Sequence, residues 1–423
     1  MKLKSIHLEH FRCFESFDLE LDDQLTVLVG ENGAGKTAVL EALSIFLKWW
    51  AKPAHGGHMF AQISTADVQY GYEPEDVKLR YDLVESSGQG RIACSIELVY
   101  FSSGDKTVFL ANQIEMPSIE LLREDETSVF AAYMTDRFTS DNDFILPERT
   151  QKLSEIKQTD GNFSRKIDYG DTILWFNDTD ADEARAMRDS NRKEEFPELK
   201  AVREALNKAL LGKYERPSMM GTPPELVIYE KGSGHVYKVS QLSDGYRAML
   251  ALVMDLARRM AQAPRSMSSD GESILHTSAI VLIDEVELHL HPSWQQTVLL
   301  TLMDIFPNTQ FIVTTHSPQV LSAIQPKHIR ILSDGKAYSV EEQTQGAEAS
   351  RLLKSIFRVE LRPKDLEIVK ALKKYSKMVY DEKWDTPEAV ELKKTLTDHY
   401  GNDEPVMMEL DLHVENALWE RGL

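Results

Sequence analysis

One stretch of this sequence constrains the fold more than any other. The apolar run Val27-Leu28-Val29 leads directly into Gly30-Glu31-Asn32-Gly33-Ala34-Gly35-Lys36-Thr37. The pattern G-x-x-x-x-G-K-[ST] is a phosphate-binding P-loop, and it requires a strand before it and a helix after it. Periodic apolar residues between Lys36 and Trp50 supply that helix. Backbone N–H groups of the turn, from Asn32 through Gly33 and Gly35, can cradle the β- and γ-phosphates of a nucleotide. Lys36 brings a mobile positive charge, and the Thr37 hydroxyl can ligate Mg²⁺. Glycine is needed here because a Cβ would obstruct the close approach and disfavour the positive φ angles. A nucleoside triphosphate site follows, with ATP and Mg²⁺ as the expected cofactors.

A chain of 423 residues has room for about two to three domains with a large core. Its 42% hydrophobic and 27% charged residues match a soluble globular protein. No apolar run reaches the ~18–20 residues of a membrane span. The N-terminus turns polar too soon for a secretory signal, and Cys13 and Cys94 are too few for a disulfide framework. A cytoplasmic protein is expected.

The net charge of −20 repels phosphate backbones, so nucleic-acid contact needs a local basic patch or a second protein. Residues 351–377 carry nine Lys/Arg against three acids, and residues 381–420 carry twelve acids against three bases. Such blocks are either solvated helix faces or a docking surface for a partner or DNA.

Along the chain, residues 2–29 read as strands, and a meander is expected across 78–111 with turns near 86–88 and 103–105. Gly56 and Gly57, with His55 and His58 beside them, indicate a loop. Residues 136–225 are less regular, with helices at 182–193 and 197–211 and no sustained heptad seam, which argues against a coiled-coil arm. Short strands at 225–230 and 236–239 precede a helix over 244–262, and residues 263–271 have loop composition. Strand–helix units then run from Ala279 to Ser333, with paired strands near 328–342. Everything after 346 is helical, with Thr386 as an N-cap before Pro387.

Three further motifs bear on the nucleotide. Ala279-Ile280-Val281-Leu282-Ile283-Asp284-Glu285 is a Walker B pattern. A buried strand delivers Asp284 to hold Mg²⁺, and Glu285 follows where it can orient and deprotonate water. Leu242-Ser243-Asp244-Gly245-Tyr246 precedes an apolar helix and approximates the signature L-S-G-G-Q. Ser243, Gly245 and the helix N-terminus can form an anion site for a γ-phosphate; the plainer alternative is a Ser N-cap that touches no ligand. Gln310-Phe311-Ile312-Val313-Thr314-Thr315-His316 is a buried strand ending in a histidine suited to sensing the γ-phosphate. The pair His289 and His291 has no third Cys or His ligand nearby, so a connecting loop that touches the opposite subunit is preferred over a metal site.

Together with His10-Phe11-Arg12-Cys13-Phe14 and Thr315-His316-Ser317-Pro318, these motifs resemble the SMC/RecF/OLD-type ABC ATPases. The resemblance covers about residues 1–340 and implies an α/β fold: an ABC-type P-loop NTPase head with a mixed sheet, an antiparallel β subdomain and a helical insertion. His10 stands where the family has Asn. The resemblance assigns Arg12 a nucleotide contact and gives Gln113 the place of the Q-loop glutamine, a Mg²⁺ contact. No acidic cluster after 340 has the spacing of a Toprim nuclease. The short, armless profile is similar to the PtuA family of Septu anti-phage systems, ATPases that work with an HNH nuclease, PtuB; related ATPases accompany some retrons.

That resemblance implies two heads meeting head-to-tail, with ATP between Lys36 and Thr37 of one and Ser243 of the other. The expected organisation is a head over 1–345, divided into lobe I (1–135), an insertion (136–225) and lobe II (226–345), followed by a helical partner-docking region over 346–423. In that region Val406, Leu410, Val414 and Ala417 form a stripe suited either to docking or to core packing. The expected function is ATP-dependent control of an HNH nuclease partner by a homodimer or higher homo-oligomer, with DNA reached indirectly and no membrane involved. A RecF-like repair ATPase acting directly on DNA and a retron-associated effector ATPase are the alternatives.

Overall fold

The apolar runs of the first thirty residues become three strands that serve two different sheets. In this computed structural model, β1 (Lys2–Phe11) and β2 (Phe14–Glu20) pair antiparallel, and β1 also pairs with β4 (Lys78–Ser87). With β5 (Gly90–Ser103) and β6 (Lys106–Glu115) they form one sheet in the order β2-β1-β4-β5-β6. β3 (Leu25–Gly30) departs from this sheet because five of its residues are buried, a pattern that suits a strand covered on both faces. The structure describes residues 1–50, 65–87, 90–103, 106–115, 128–135, 169–189, 195–210, 212–222, 224–263, 274–401 and 403–420. His55, His58, residues 136–168 and residues 264–273 lie outside them.

Following the P-loop comes α1 (Lys36–Trp50). β7 (Val129–Tyr133) then joins the core sheet; the helices α2 (Tyr169–Asp189) and α3 (Pro197–Ala209) follow. The helix expected from residue 182 begins at Tyr169, because Ile173 and Phe176 in its polar first half are fully buried. β8 (Tyr214–Met220), β9 (Glu225–Glu230) and β10 (Val236–Lys238) form a small antiparallel sheet in the order β10-β9-β8. β8 contains Pro217, which hides it in the sequence. Its register shifts between Glu215 and Ser218 in an edge strand, where a missing N–H is tolerated.

α4 (Asp244–Gln262) leads towards β11 (Ala279–Ile283), α5 (Pro292–Gln295), α6 (Val298–Ile305), β12 (Thr309–Thr314), α7 (Pro318–Leu321), β13 (Ile329–Ser333) and β14 (Lys336–Ser339). The core sheet has the order β14-β13-β3-β12-β11-β7. All its pairings are parallel except that of the edge strand β14. α1 packs in the apolar core between the sheets, where Phe46, Trp49 and Trp50 meet Tyr81, Leu282 and Ile312. This α/β arrangement of a mixed sheet with an antiparallel β subdomain is the one expected of an ABC-type head.

One buried polar cluster ties the layers together. Asp255 on α4 is fully buried and accepts from Arg258 at 2.9 Å, Arg259 at 2.7 Å, Tyr133 Oη at 3.0 Å and Thr172 Oγ1 at 3.3 Å. α4 is thereby joined to β7 and α2. Burial opposes the Asp255 charge, but the two guanidiniums hold its carboxyl below the ordinary range. Asp255→Ala strands both cations, so unfolding in urea should show a loss of about 3–5 kcal/mol.

The chain divides into two compact units, Met1–Leu352 and Leu353–Leu423, with the division inside α8 (Ala349–Ser355). The second unit holds α9 (Glu367–Tyr380), α10 (Pro387–Tyr400) and α11 (Pro405–Glu420) around Leu372, Tyr375, Val379, Leu396, Met407 and Leu410. Thr386 caps α10, its hydroxyl accepting from Ala389 N. Leu410 is in that core and Val406 and Val414 pack against it, so the stripe on α11 is largely internal. The exposed apolar face of α11 consists of Met408, Leu412 and Trp419. The charge blocks largely pair with each other or locally: Arg362 with Glu404, Lys374 with Glu388, Lys373 with Glu360 and Lys370 with Glu367. Among the described residues no helix is long and apolar enough to cross a membrane.

Candidate nucleotide site

Parallel strands gather their C-terminal ends on one side of a sheet, where ligands enter the crevice between neighbouring strand ends. Here β3 delivers the P-loop, β11 delivers Asp284 and Glu285, and β12 delivers Thr314 and the segment to His316. Between them lies a cavity of about 230 Å³. Asn32, Gly33, Gly35, Lys36 and Thr37 line one side, and Asp284, Glu285 and His316 line the other. These are the P-loop, Walker B and switch residues expected from the sequence, now in one place.

Two glycines explain the loop's composition. Gly33 has φ +84° with open space where a Cβ would stand, so its need is conformational. Gly35 has φ +95°, and a Cβ there would overlap the Phe14 ring and Cys13 Sγ. The turn between β1 and β2 therefore buttresses the P-loop from beneath, which gives Cys13 and Phe14 of the opening motif a packing role.

Lys36 is 7% exposed, and its Nζ donates to the carbonyls of Gly30 at 2.9 Å and Glu31 at 3.0 Å. Burial pulls its ammonium below the ordinary range, while Asp284, Glu285 and Glu287 pull the other way. Asp284 is fixed from three sides. Its N–H bonds the Tyr133 carbonyl at 2.8 Å, Oδ1 accepts from Thr314 Oγ1 at 2.6 Å, and Oδ2 accepts from Thr37 Oγ1 at 3.1 Å. Thr314 Oγ1 in turn accepts the Glu285 N–H at 2.8 Å, and Glu285 has φ +48°. The hydroxyl–carboxylate pair of Thr37 and Asp284 is a set of hard oxygen donors that fits Mg²⁺, which takes one or two protein ligands and leaves the rest to phosphate and water.

The regions that match known families include this site. Residues 1–50 match an AAA ATPase domain, and residues 120–322 match an AAA domain described as putative AbiEii toxin, Type IV TA system. The chain is a P-loop ATPase with the fold of an ABC-type head. It is 28% identical to the Retron Ec83 probable ATPase of Escherichia coli, over 99% of this chain and 88% of that protein. It is 22% identical to the Septu protein PtuA of Bacillus thuringiensis, over 76% of this chain and 73% of that one. The SMC head domain from Thermotoga maritima aligns over 81% of this chain and all of its own, at 16% identity and TM-score 0.42.

Other residues expected in the ATPase site stand elsewhere in the chain. Arg12 pairs with Asp67, Nε to Oδ1 at 2.8 Å, and is not among the described residues lining the cavity. Gln113 falls on β6, opposite Ile96, in a different sheet from the one whose ends form the cavity. The strand end beside Asp284 is that of β7, where Tyr133 pairs with Ile283. The assignment of Gln113 followed residue type, whereas proximity to Asp284 is decided by strand order.

Ser243 and Gly245 are likewise not among the described lining residues. Ser243 occupies the N-cap of α4, but its hydroxyl makes no capping hydrogen bond. A Cβ at Gly245 would approach the His289 carbonyl to 3.0 Å, so glycine there serves close packing against 289–291. His291 caps α5, its Nδ1 lying 2.9 Å from Ser293 Oγ. Among the described residues no group of three or more His, Cys, Asp or Glu is placed to hold a metal. Thr314 and Glu287 are the neighbours that sequence reasoning left out. The Thr-Thr pair before His316 and the second carboxylate after Asp284 were the available signals.

Proposed function

We propose that this ATPase is the nucleotide-dependent regulatory subunit of a bacterial anti-phage complex, restraining a partner HNH nuclease while ATP holds its heads together. The observation that carries the reading is the cavity that unites the P-loop with Asp284, Glu285 and His316. In it Lys36 and the loop amides bind the phosphates, Thr37 and Asp284 hold Mg²⁺, Glu285 activates water and His316 senses the γ-phosphate. Ser243 and Gly245 complete the site from a second copy. An exposed serine at the start of a nineteen-residue helix, its hydroxyl unspent on capping, supports that geometry.

The relatives' names, a retron probable ATPase and PtuA, support a defence setting. The near full-length match to the retron protein favours a second reading, in which the partner is a retron effector in place of an HNH nuclease. Direct action on DNA in the RecF manner has less support, because the basic block is largely paired with acids and the chain carries −20 overall. The partner would dock on residues 346–423, where Trp419 is 80% exposed.

Co-purification with an HNH nuclease, followed by a DNA-cleavage assay, tests the reading. Cleavage should be low with saturating ATP and rise when ATP is removed or hydrolysed. Cleavage that ignores ATP, or a nuclease that does not bind, would contradict it.

A further inference from the structure

The nucleotide motifs leave Glu287 without a task, yet its carboxylate joins two of them. Oε1 accepts the His316 backbone N–H at 2.6 Å, and Oε2 accepts the Thr315 hydroxyl at 2.7 Å. Further hydrogen bonds lace the same two segments together. The Glu285 N–H reaches Thr314 Oγ1 at 2.8 Å, and the Val286 N–H reaches the Thr314 carbonyl at 3.1 Å. Ser317 Oγ donates to Gln295 Oε1 at 2.6 Å, while Gln295 Nε2 donates to the Leu290 carbonyl at 2.9 Å. The switch segment 314–317 is thus tied to the connection 284–290 along its whole length.

That connection is also held in a demanding shape. Glu285 and His289 are non-glycine residues in the left-handed region, at φ +48° and +62°. Such conformations persist only where the surroundings over-determine them, and they gather at functional sites. At its far end the His289 carbonyl rests against Gly245. Glu287 sits between these two residues, and its side chain grips the backbone of His316 directly.

We propose that Glu287 is a positioning residue that clamps Glu285 and His316 into one unit, so that the water-activating and phosphate-sensing groups keep a fixed spacing across the cavity. The proposal rests on the catalytic reading of those two residues. An ionised carboxylate is acceptor-only, which suits its two donors. Glutamine keeps the shape but turns an NH₂ towards one of them, breaking one bond and opposing donor to donor. Glu287 is not among the described residues lining the cavity, so nucleotide binding by the P-loop should survive its replacement.

The test measures phosphate release and ATP affinity for Glu287→Gln, His316→Ala and the double variant. Misplacing a reacting group by about 1 Å can cost about 10²-fold, so Glu287→Gln should lower kcat roughly 10- to 100-fold with ATP affinity changed less than about threefold. The double variant should be no slower than His316→Ala within about twofold, because the clamp acts through that residue. Losses that multiply, or an unchanged kcat for Glu287→Gln, overturn the clamp while leaving the catalytic reading intact. An unchanged kcat for His316→Ala overturns both. Should Glu287→Gln fail to fold, Thr315→Val removes the hydroxyl's bond to Glu287 together with the one it accepts from the Ser317 N–H. A several-fold fall in kcat that does not add to His316→Ala supports the clamp, and an additive fall overturns it.

Discussion

Glu285→Gln should slow ATP turnover by roughly 10²- to 10⁴-fold, the usual contribution of a positioned general base, while ATP stays bound. Glu285 lines the cavity one residue beyond Asp284, and its N–H is held by Thr314 Oγ1 at 2.8 Å. The substitution leaves that backbone anchor and the side-chain volume in place, so the φ of +48° is retained. What it removes is the capacity to take a proton from water. Steady-state phosphate release and equilibrium nucleotide binding, measured on the same preparation, separate the two effects. Turnover near the wild-type rate would remove Glu285 from the role and point to a base elsewhere in the assembly.

Lys36→Ala should act on binding itself. Three carboxylates, Asp284, Glu285 and Glu287, influence the Lys36 ammonium, and burial already depresses its pKa. Without it, a triphosphate meets a cavity wall whose charged side chains are acidic. Truncating one partner of a buried charge pair costs about 2–5 kcal/mol, so ATP affinity should fall about 30-fold or more. Titration with a fluorescent ATP analogue reads this directly. Lys36→Arg should rescue little, because the pocket between the Gly30 and Glu31 carbonyls is shaped for a compact ammonium. Binding preserved in Lys36→Ala would mean that the triphosphate lies elsewhere.

The sequence made this cavity legible because each motif is local. Lys36, Asp284 and His316 each follow a buried apolar strand, and parallel strands bring such ends together whatever lies between them. What stayed hidden depends on contacts distant in sequence. Nothing near Gly35 announces that Phe14 and Cys13 press against it, and nothing near Tyr133 announces its bond to Asp255. β7 was missed because Ala131 and Ala132 are weak strand formers; complete burial beside β11 selects the strand. Gln113 drew attention as a glutamine in a meander, although its strand belongs to another sheet. The stripe of Val406, Leu410 and Val414 carried a helical period that fits docking and packing equally, and only the neighbouring helices decide for packing.

The central claim is that the P-loop face of one copy is completed by Ser243 of another. Mixing two inactive variants, Lys36→Ala and Ser243→Arg, tests it most directly. In a mixed pair one site carries both lesions and the other carries neither. Random pairing should therefore restore phosphate release to about a quarter of the wild-type rate, while each variant alone stays inactive. A mixture as inactive as its components, or full turnover by Ser243→Arg alone, would contradict the account.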